Sequence, residues 1–71
     1  MIYSRIRILR KKRNWTQKKL ADRLKLPRAT IIAVEQHKGT SLENALLLAR
    51  EFRQPIGDVF SLKPFDEEQH K

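Results

Sequence analysis

Two short helical stretches separated by about three residues constrain this chain more than any other feature. Between residues 15 and 36, apolar side chains recur at intervals of three and four, which predicts one helix over 17–24 and another over 28–36. Thr16 stands at the N-cap position of the earlier helix, and Pro27 stands where a missing N–H costs little. Helices this short, joined by so short a connection, cross sharply, so the sequence predicts a helix-turn-helix.

Apolar residues at helical spacing also extend through the rest of the chain and predict an all-α fold of five helices. The remaining helices are expected over about 3–13, from a capping box at Thr40 and Glu43 to Phe52, and over about 56–60. The positions expected to face the core are Ile2, Ile6, Leu9, Leu20, Ala21, Leu24, Ile31, Val34, Leu42, Ala45, Leu46, Ala49, Phe52, Ile56, Val59 and Phe60.

Length, cysteine content and hydropathy narrow the class of protein. The 71 residues contain no repeat or linker, so we expect one domain over 1–71, with its core over about 2–61 and a C-terminal tail over 62–71. Because the chain has no cysteine and its two histidines are far apart, we expect neither a metal nor another cofactor. No apolar run approaches the roughly 20 residues of a membrane span, so we expect a cytoplasmic protein without a membrane partner. No nucleophile–base pair and no glycine-rich phosphate loop occur, so we do not expect an enzyme.

The positive charge of the chain is unevenly distributed. The formal net charge is +8 at pH 7, and residues 1–30 contain eleven lysine and arginine residues but only one acidic residue, Asp22. Residues 31–71 contain five basic and seven acidic residues. A folded domain with this asymmetry presents a strongly positive face, which suits a polyanion such as DNA, RNA or an anionic membrane.

The start of the second helix carries charges of the wrong sign for an isolated helix. Lys18 and Lys19 occupy the first turn, where the partial positive charge of the N-terminus favours Asp or Glu. The free N–H groups of such a terminus bind phosphate, and Gln17 adds a neutral donor. We therefore expect Thr16, Gln17, Lys18 and Lys19 to contact a nucleic-acid backbone, with lysines that simply point into solvent as the alternative. Lys38, in the loop after the third helix, is a further backbone candidate.

The stretch IRILRKKRNWTQKKLADRLKLPRATIIAVE resembles the helix-turn-helix core of the lambda-repressor/Cro-like family, also called the XRE family. The residues that carry this resemblance are Ile6, Leu9, Arg10, Arg13, Thr16, Gln17, Leu20, Ala21, Leu24, Arg28, Thr30, Ile31, Val34 and Glu35. The later stretch SLENALLLAREFRQPIGDVF is similar to the last two helices of the family, so the likeness covers about residues 2–61. It implies a five-helix, lambda-repressor-like DNA-binding domain that acts as a homodimer on double-stranded DNA, with the helix over 28–36 in the major groove. It also implies a partly buried ion pair between Arg10 and Glu35.

The sequence departs from the family pattern at three places. Lys18 and Lys19 stand where many relatives have acidic residues, and His37 stands where many have glycine. Pro27 replaces the usual Ser or Thr cap of the third helix, so the side-chain hydrogen bond of that cap is expected to be absent.

The outward side of the third helix supplies the candidates for reading bases. With Ile31 and Val34 expected to be buried, these candidates are Arg28, Ala29, Thr30, Ile32 and Ala33. Arg28 is the only long donor and suits guanine O6 and N7, with a phosphate contact as the alternative. The apolar candidates can only pack on groups such as thymine methyls, so specificity is expected to depend on methyl contacts and DNA shape.

Apolar residues near the C-terminal end supply surface either for a two-fold interface or for a cap on the core: Val59, Phe60, Leu62 and Phe65. The leading hypothesis is a sequence-specific transcriptional regulator, a repressor, that binds a palindromic operator as a homodimer. One alternative is an antitoxin-type autoregulator with a toxin as its protein partner. Another is a non-specific nucleic-acid or RNA-binding basic module, against which stands the scarcity of aromatic residues on the basic side.

Overall fold

The computed structural model describes residues 1–65 of the chain. The helices are α1 (Ile6–Lys12), α2 (Gln17–Leu24), α3 (Arg28–Glu35), α4 (Leu42–Glu51) and α5 (Ile56–Val59), and two short strands, β1 (Tyr3–Ser4) and β2 (Phe60–Ser61), pair antiparallel. The prediction of a five-helix fold is confirmed, with a small sheet added to it. Residues 66–71 of the predicted tail, His70 among them, lie outside the described residues.

The small sheet corrects the predicted start of the first helix, which was expected near residue 3. Ser4 pairs with Phe60, and its hydroxyl donates to the carbonyl of Val34 at 3.1 Å and accepts the N–H of Ile6 at 3.4 Å. These partners hold Ser4 in extended backbone immediately before α1. Ile2 is also not a helical core residue, because it is exposed and forms a parallel bridge with Lys38.

The core lies where α1, α2, α3, α4 and α5 meet. Its buried side chains are Ile6, Leu9, Leu20, Ala21, Ile31, Val34, Leu48, Ala49, Phe52 and Val59, with Trp15, Leu24, Leu26 and Phe60 packed against them. Most of these were predicted from helical spacing. The core packs α1 and α4 against α2 and α3, the two helices of the helix-turn-helix. This packing fixes the angle at which α2 crosses α3.

The buried stripe of α4 differs from the predicted one. Leu42 is 70% exposed and Leu46 is 51% exposed, whereas Leu48 is fully buried. The stripe that packs inward contains Ala45, Leu48, Ala49 and Phe52, which is also a valid helical spacing. Three consecutive leucines make both registers possible in the sequence, and contact with the rest of the core selects one of them. Ile56, also predicted to be in the core, is exposed.

The helix starts follow the predicted capping at α2 and α3 but not at α4. Thr16 Oγ1 accepts the backbone N–H of Lys19 at 3.0 Å, and Pro27 provides no side-chain cap for α3. The N-cap of α4 is Ser41, which accepts the N–H of Asn44 at 3.1 Å, so the capping box at Thr40 and Glu43 is wrong. Because Ser and Thr are both favoured N-cap residues, the pair Thr40 and Ser41 allows two helix starts one position apart in the sequence.

Four non-glycine residues with left-handed backbone follow helices in this fold. Asn14 follows α1, Lys25 follows α2, His37 follows α3 and Arg53 follows α4, with φ between 54° and 62°. Asn14 was predicted to end the first helix in this way. His37 stands where the family resemblance implied a glycine in many relatives, and its Nδ1 accepts the N–H of Ser4 at 3.1 Å. This bond ties the end of α3 to β1.

Candidate nucleic-acid interface

The N-terminal ends of α2 and α3 open onto one depression. Arg10, Thr16, Gln17, Lys18 and Arg28 line it, and its volume is about 490 Å³. Neither helix has an acidic residue in its first turn, so the partial positive charge of both ends faces this space without a carboxylate. We call it the α2–α3 depression. Its donors and charges suit an anionic ligand.

The predicted ion pair between Arg10 and Glu35 lies beside the α2–α3 depression, and Arg10 is the member that lines it. Arg10 donates through Nε to Glu35 Oε2 at 2.7 Å and through Nη2 to Glu35 Oε1 at 3.0 Å. Arg10 Nη1 also donates to the carbonyl of Trp15 at 2.9 Å. The two side chains are only 10% and 6% exposed. The pair thus fixes α1 to α3 and to the residue before the Thr16 cap.

The amide of Gln17 extends this network toward the surface. Its Nε2 donates to Glu35 Oε1 at 3.2 Å, and its Oε1 accepts a hydrogen bond from Arg28 Nη2 at 3.2 Å. Gln17 therefore positions Arg28 at the mouth of the α2–α3 depression. Arg28 is exposed, and the rest of its guanidinium remains available to a base or a phosphate.

The lysines of α2 are not equivalent. Lys18 Nζ lies 2.7 Å from Asp22 Oδ2 in an exposed pair one turn apart, so part of its charge is neutralised. Lys19 is exposed and has no ion pair within residues 1–65. Its charge is therefore the more available one. Lys38, the remaining backbone candidate, is exposed in the loop after α3.

A second depression, of about 370 Å³, continues the basic surface along α1. Its lining includes Arg7, Lys11 and Ile32, and it shares Arg10 and Gln17 with the α2–α3 depression. Glu35 also lines it, with its carboxylate paired to Arg10. Arg7 and Lys11 were not assigned individually from the sequence. They are four residues apart on α1, beside the buried Ile6 and Arg10, and this spacing was the available signal.

The predicted base-reading residues divide by exposure. Arg28 and Ala29 are exposed, whereas Thr30, Ile32 and Ala33 are half-buried. Ile31 and Val34 face the core as expected. The available surface of α3 therefore combines one arginine with mostly apolar groups.

The ring of Trp15 lines neither depression and is enclosed by contacts within the protein. Its ring lies 5.9 Å from that of Phe52, and the guanidinium groups of Arg13 and Arg23 lie 4.9 Å and 4.4 Å from it. Arg23 Nε donates to Glu51 Oε2 at 2.7 Å. With two cations and a second ring around it, Trp15 is a structural residue rather than a platform for stacking bases.

The residues predicted for a two-fold interface lie in different surroundings. Val59 is fully buried, so its assignment to an interface is corrected to the core. Phe60 is half-buried and packs against the core from β2. Leu62 is 78% exposed, and Phe65 is half-buried with the guanidinium of Arg5 at 5.7 Å from its ring.

Residues 1–65 were assessed by two structural criteria, helix length with hydropathy and the grouping of metal-ligating side chains, and they meet neither. No helix there has the length and hydropathy required to cross a membrane. No group of three or more histidine and acidic side chains there is arranged to hold a metal ion.

Comparison with known proteins agrees with this arrangement. The sequence matches the helix-turn-helix family over residues 6–59. It is 42% identical over 67 residues to an uncharacterized HTH-type transcriptional regulator of Archaeoglobus fulgidus, and the alignment covers 93% of this chain and 90% of that relative. The matched region includes α1 to α5 and every residue of the two depressions. The chain therefore belongs to the XRE family of helix-turn-helix proteins.

Proposed function

We propose that this protein is a cytoplasmic, sequence-specific DNA-binding transcriptional regulator that represses by binding a palindromic operator as a homodimer. The observation that carries the proposal is the α2–α3 depression, where two helix N-termini without acids meet Gln17, Lys18 and Arg28 beside the open surface of α3. The Archaeoglobus relative, named as a transcriptional regulator, supports the same class of function.

Contacts to the DNA backbone come from the start of α2 in this proposal. The N–H groups of Gln17 and Lys18 have no partner within the helix, because the first turn of a helix leaves its donors free. A phosphate in the α2–α3 depression accepts these bonds, and the Thr16 hydroxyl and Lys19 add to them. Arg7 and Lys11 lie along the second depression and contact a neighbouring phosphate.

Base contacts come from α3 in the major groove, which is wide enough to admit a helix. Arg28, held by Gln17 at 3.2 Å, reads guanine through O6 and N7. Ala29, Ile32 and Ala33 pack on thymine methyl groups or on the edge of the groove. With one long donor on α3, much of the specificity depends on DNA shape. In this proposal a dimer bound to the operator represses transcription by blocking access of other proteins to that stretch of DNA.

Selection from random-sequence duplex DNA near physiological salt tests the proposal. We expect an enriched inverted repeat whose half-site centres lie about 10 bp apart, which is one turn of DNA. Retained DNA without an enriched motif would contradict sequence specificity and favour the non-specific basic module. The shortage of hydrogen-bond donors on α3 is the observation that favours non-specific nucleic-acid binding as the second candidate function.

A further inference from the structure

The outward face of α4 is apolar and lies apart from the basic depressions. Leu42 and Leu46 are 70% and 51% exposed, and with Glu43, Leu47 and Arg50 they line a groove of about 400 Å³. We call these five residues the α4 face. Leu42 and Leu46 lie one turn apart on α4, so their exposed side chains form one apolar patch, and such patches occur at interaction surfaces.

The charges of the α4 face have a particular order. Glu43 and Arg50 are seven residues apart, so they lie on nearly the same line along the helix, about 10 Å from each other along its axis. Leu46 and Leu47 lie between them on either side of that line. Within residues 1–65 neither Glu43 nor Arg50 forms an ion pair.

This order is self-complementary under a two-fold axis. If two copies of α4 pack antiparallel with the axis between Leu46 and Leu47, Glu43 of each copy faces Arg50 of the other, and the leucines meet at the centre. A two-fold interface requires this kind of match between a surface and itself. A partner with unrelated charges gains nothing from the arrangement.

We propose that the α4 face is the homodimer interface, formed by antiparallel packing of α4 on α4 with two Glu43–Arg50 ion pairs. This inference rests on the homodimer of the proposed function and specifies its surface. It replaces the C-terminal interface expected from the sequence, from which the burial of Val59 had already removed one residue.

The size of the α4 face predicts a weak dimer. A helix of ten residues is about 15 Å long, so the contact falls short of the roughly 800 Å² per partner of a stable interface. We therefore expect monomers and dimers to exchange at micromolar concentrations. DNA carrying two half-sites shifts the balance toward the dimer, because both subunits bind it at once.

Charge reversal tests the antiparallel pairing directly. Glu43→Arg and Arg50→Glu each place like charges opposite one another twice, so each is expected to raise the dimer dissociation constant about tenfold in sedimentation equilibrium. The double variant restores the opposite charges with their positions exchanged, and its dissociation constant is expected to return close to that of the original protein. Recovery in the double variant also establishes that both substitutions are compatible with folding.

A matched control separates pairing from overall charge. Lys12→Glu changes the net charge by the same amount as Arg50→Glu, but on α1, and is expected to leave dimerisation unchanged at physiological salt. If the single reversals leave the dimer intact, or if the original protein stays monomeric both free and on the inverted repeat, the proposed interface is wrong. A double variant as weak as the single variants would likewise overturn it.

Binding to DNA with one half-site distinguishes this inference from the proposed function. The reversed residues lie outside both depressions, so the single variants are expected to keep the affinity of the original protein for one half-site and to lose cooperative binding to the inverted repeat. Failure of the original protein to bind any duplex would reject DNA binding, while the sedimentation result would still decide the interface.

Discussion

Two arginine-rich sides of this protein use the same residue type for different purposes. On one side, the amide of Gln17 accepts a hydrogen bond from Arg28, whose charge faces the α2–α3 depression. On the other side, Arg13 and Arg23 both lie over the ring of Trp15 and both contact Glu51. Charge counted along the chain therefore overstates the charge available to a ligand, because aromatic and acidic partners occupy part of it.

The acidic residues of the two sides differ in how deeply their arginine partners are buried. This difference leads to the largest predicted effect, which is on the free energy of unfolding. Glu35→Ala removes the partner of the buried Arg10 and leaves its charge uncompensated, which is expected to reduce the free energy of unfolding by about 3–5 kcal/mol. Glu51→Ala, whose arginine partners are more exposed, is the control and is expected to cost about 1 kcal/mol or less. Chemical denaturation measures both. Equal losses would contradict the distinction between the two sides.

Base reading provides the next test of the comparison. Arg28→Ala is expected to relax the base preference at one position of each half-site by about 1–3 kcal/mol, as measured by competition between operator variants. Arg23→Ala, on the Trp15 side, is the matched control and should leave all of these preferences unchanged. A uniform loss of affinity for Arg28→Ala would instead assign Arg28 to a phosphate.

The salt dependence of DNA binding provides a further test of the two sides, through the charge of Lys19. Lys19→Ala is expected to weaken binding to all sequences similarly and to reduce the slope of log K against log salt by about 1, because one phosphate contact is lost. Arg23→Ala is expected to leave the slope as it was. Lys18→Ala should give a smaller change than Lys19→Ala, since Lys18 already pairs with Asp22 at 2.7 Å. An unchanged slope for Lys19→Ala would place that lysine away from the DNA backbone.

The sequence predicts the helix-turn-helix well because local signals agree there. Thr16, the short connection and the buried Ile31 and Val34 all indicate the same two helices, and the structure has them within one residue of the predicted bounds. The first helix is predicted less well. Ser4 is extended because it pairs with Phe60 and donates a hydrogen bond to Val34. These partners lie thirty or more residues away in sequence, and helical periodicity carries no information about such distant contacts.

In the candidate interface, too, features set by contacts between distant residues could not be predicted from local sequence signals. The ion pair of Arg10 and Glu35 was implied by the family resemblance, but the bridging position of Gln17 between Glu35 and Arg28 depends on how α2 crosses α3. The register of α4 depends on packing as well, since consecutive leucines permit two buried stripes. The uneven charge of the sequence indicated a basic surface. The α4 face was not predicted, because the register of α4 depends on packing against the core.

The smallest predicted effect concerns the turn that joins α2 to α3. Lys25 adopts a left-handed conformation with φ 56° and ψ 40°, which costs a residue with a Cβ roughly 1 kcal/mol and costs glycine almost nothing. Lys25→Gly is therefore expected to raise the free energy of unfolding by up to about 1 kcal/mol, less the greater entropy that glycine gives the unfolded chain. Lys25→Ala is the control, because it removes the same charge without relieving the backbone. If both variants unfold at the same denaturant concentration, backbone strain at this turn is negligible. If only the glycine variant gains stability and DNA affinity is unchanged, the crossing of α2 and α3 is fixed by their buried contacts rather than by the residue at the turn.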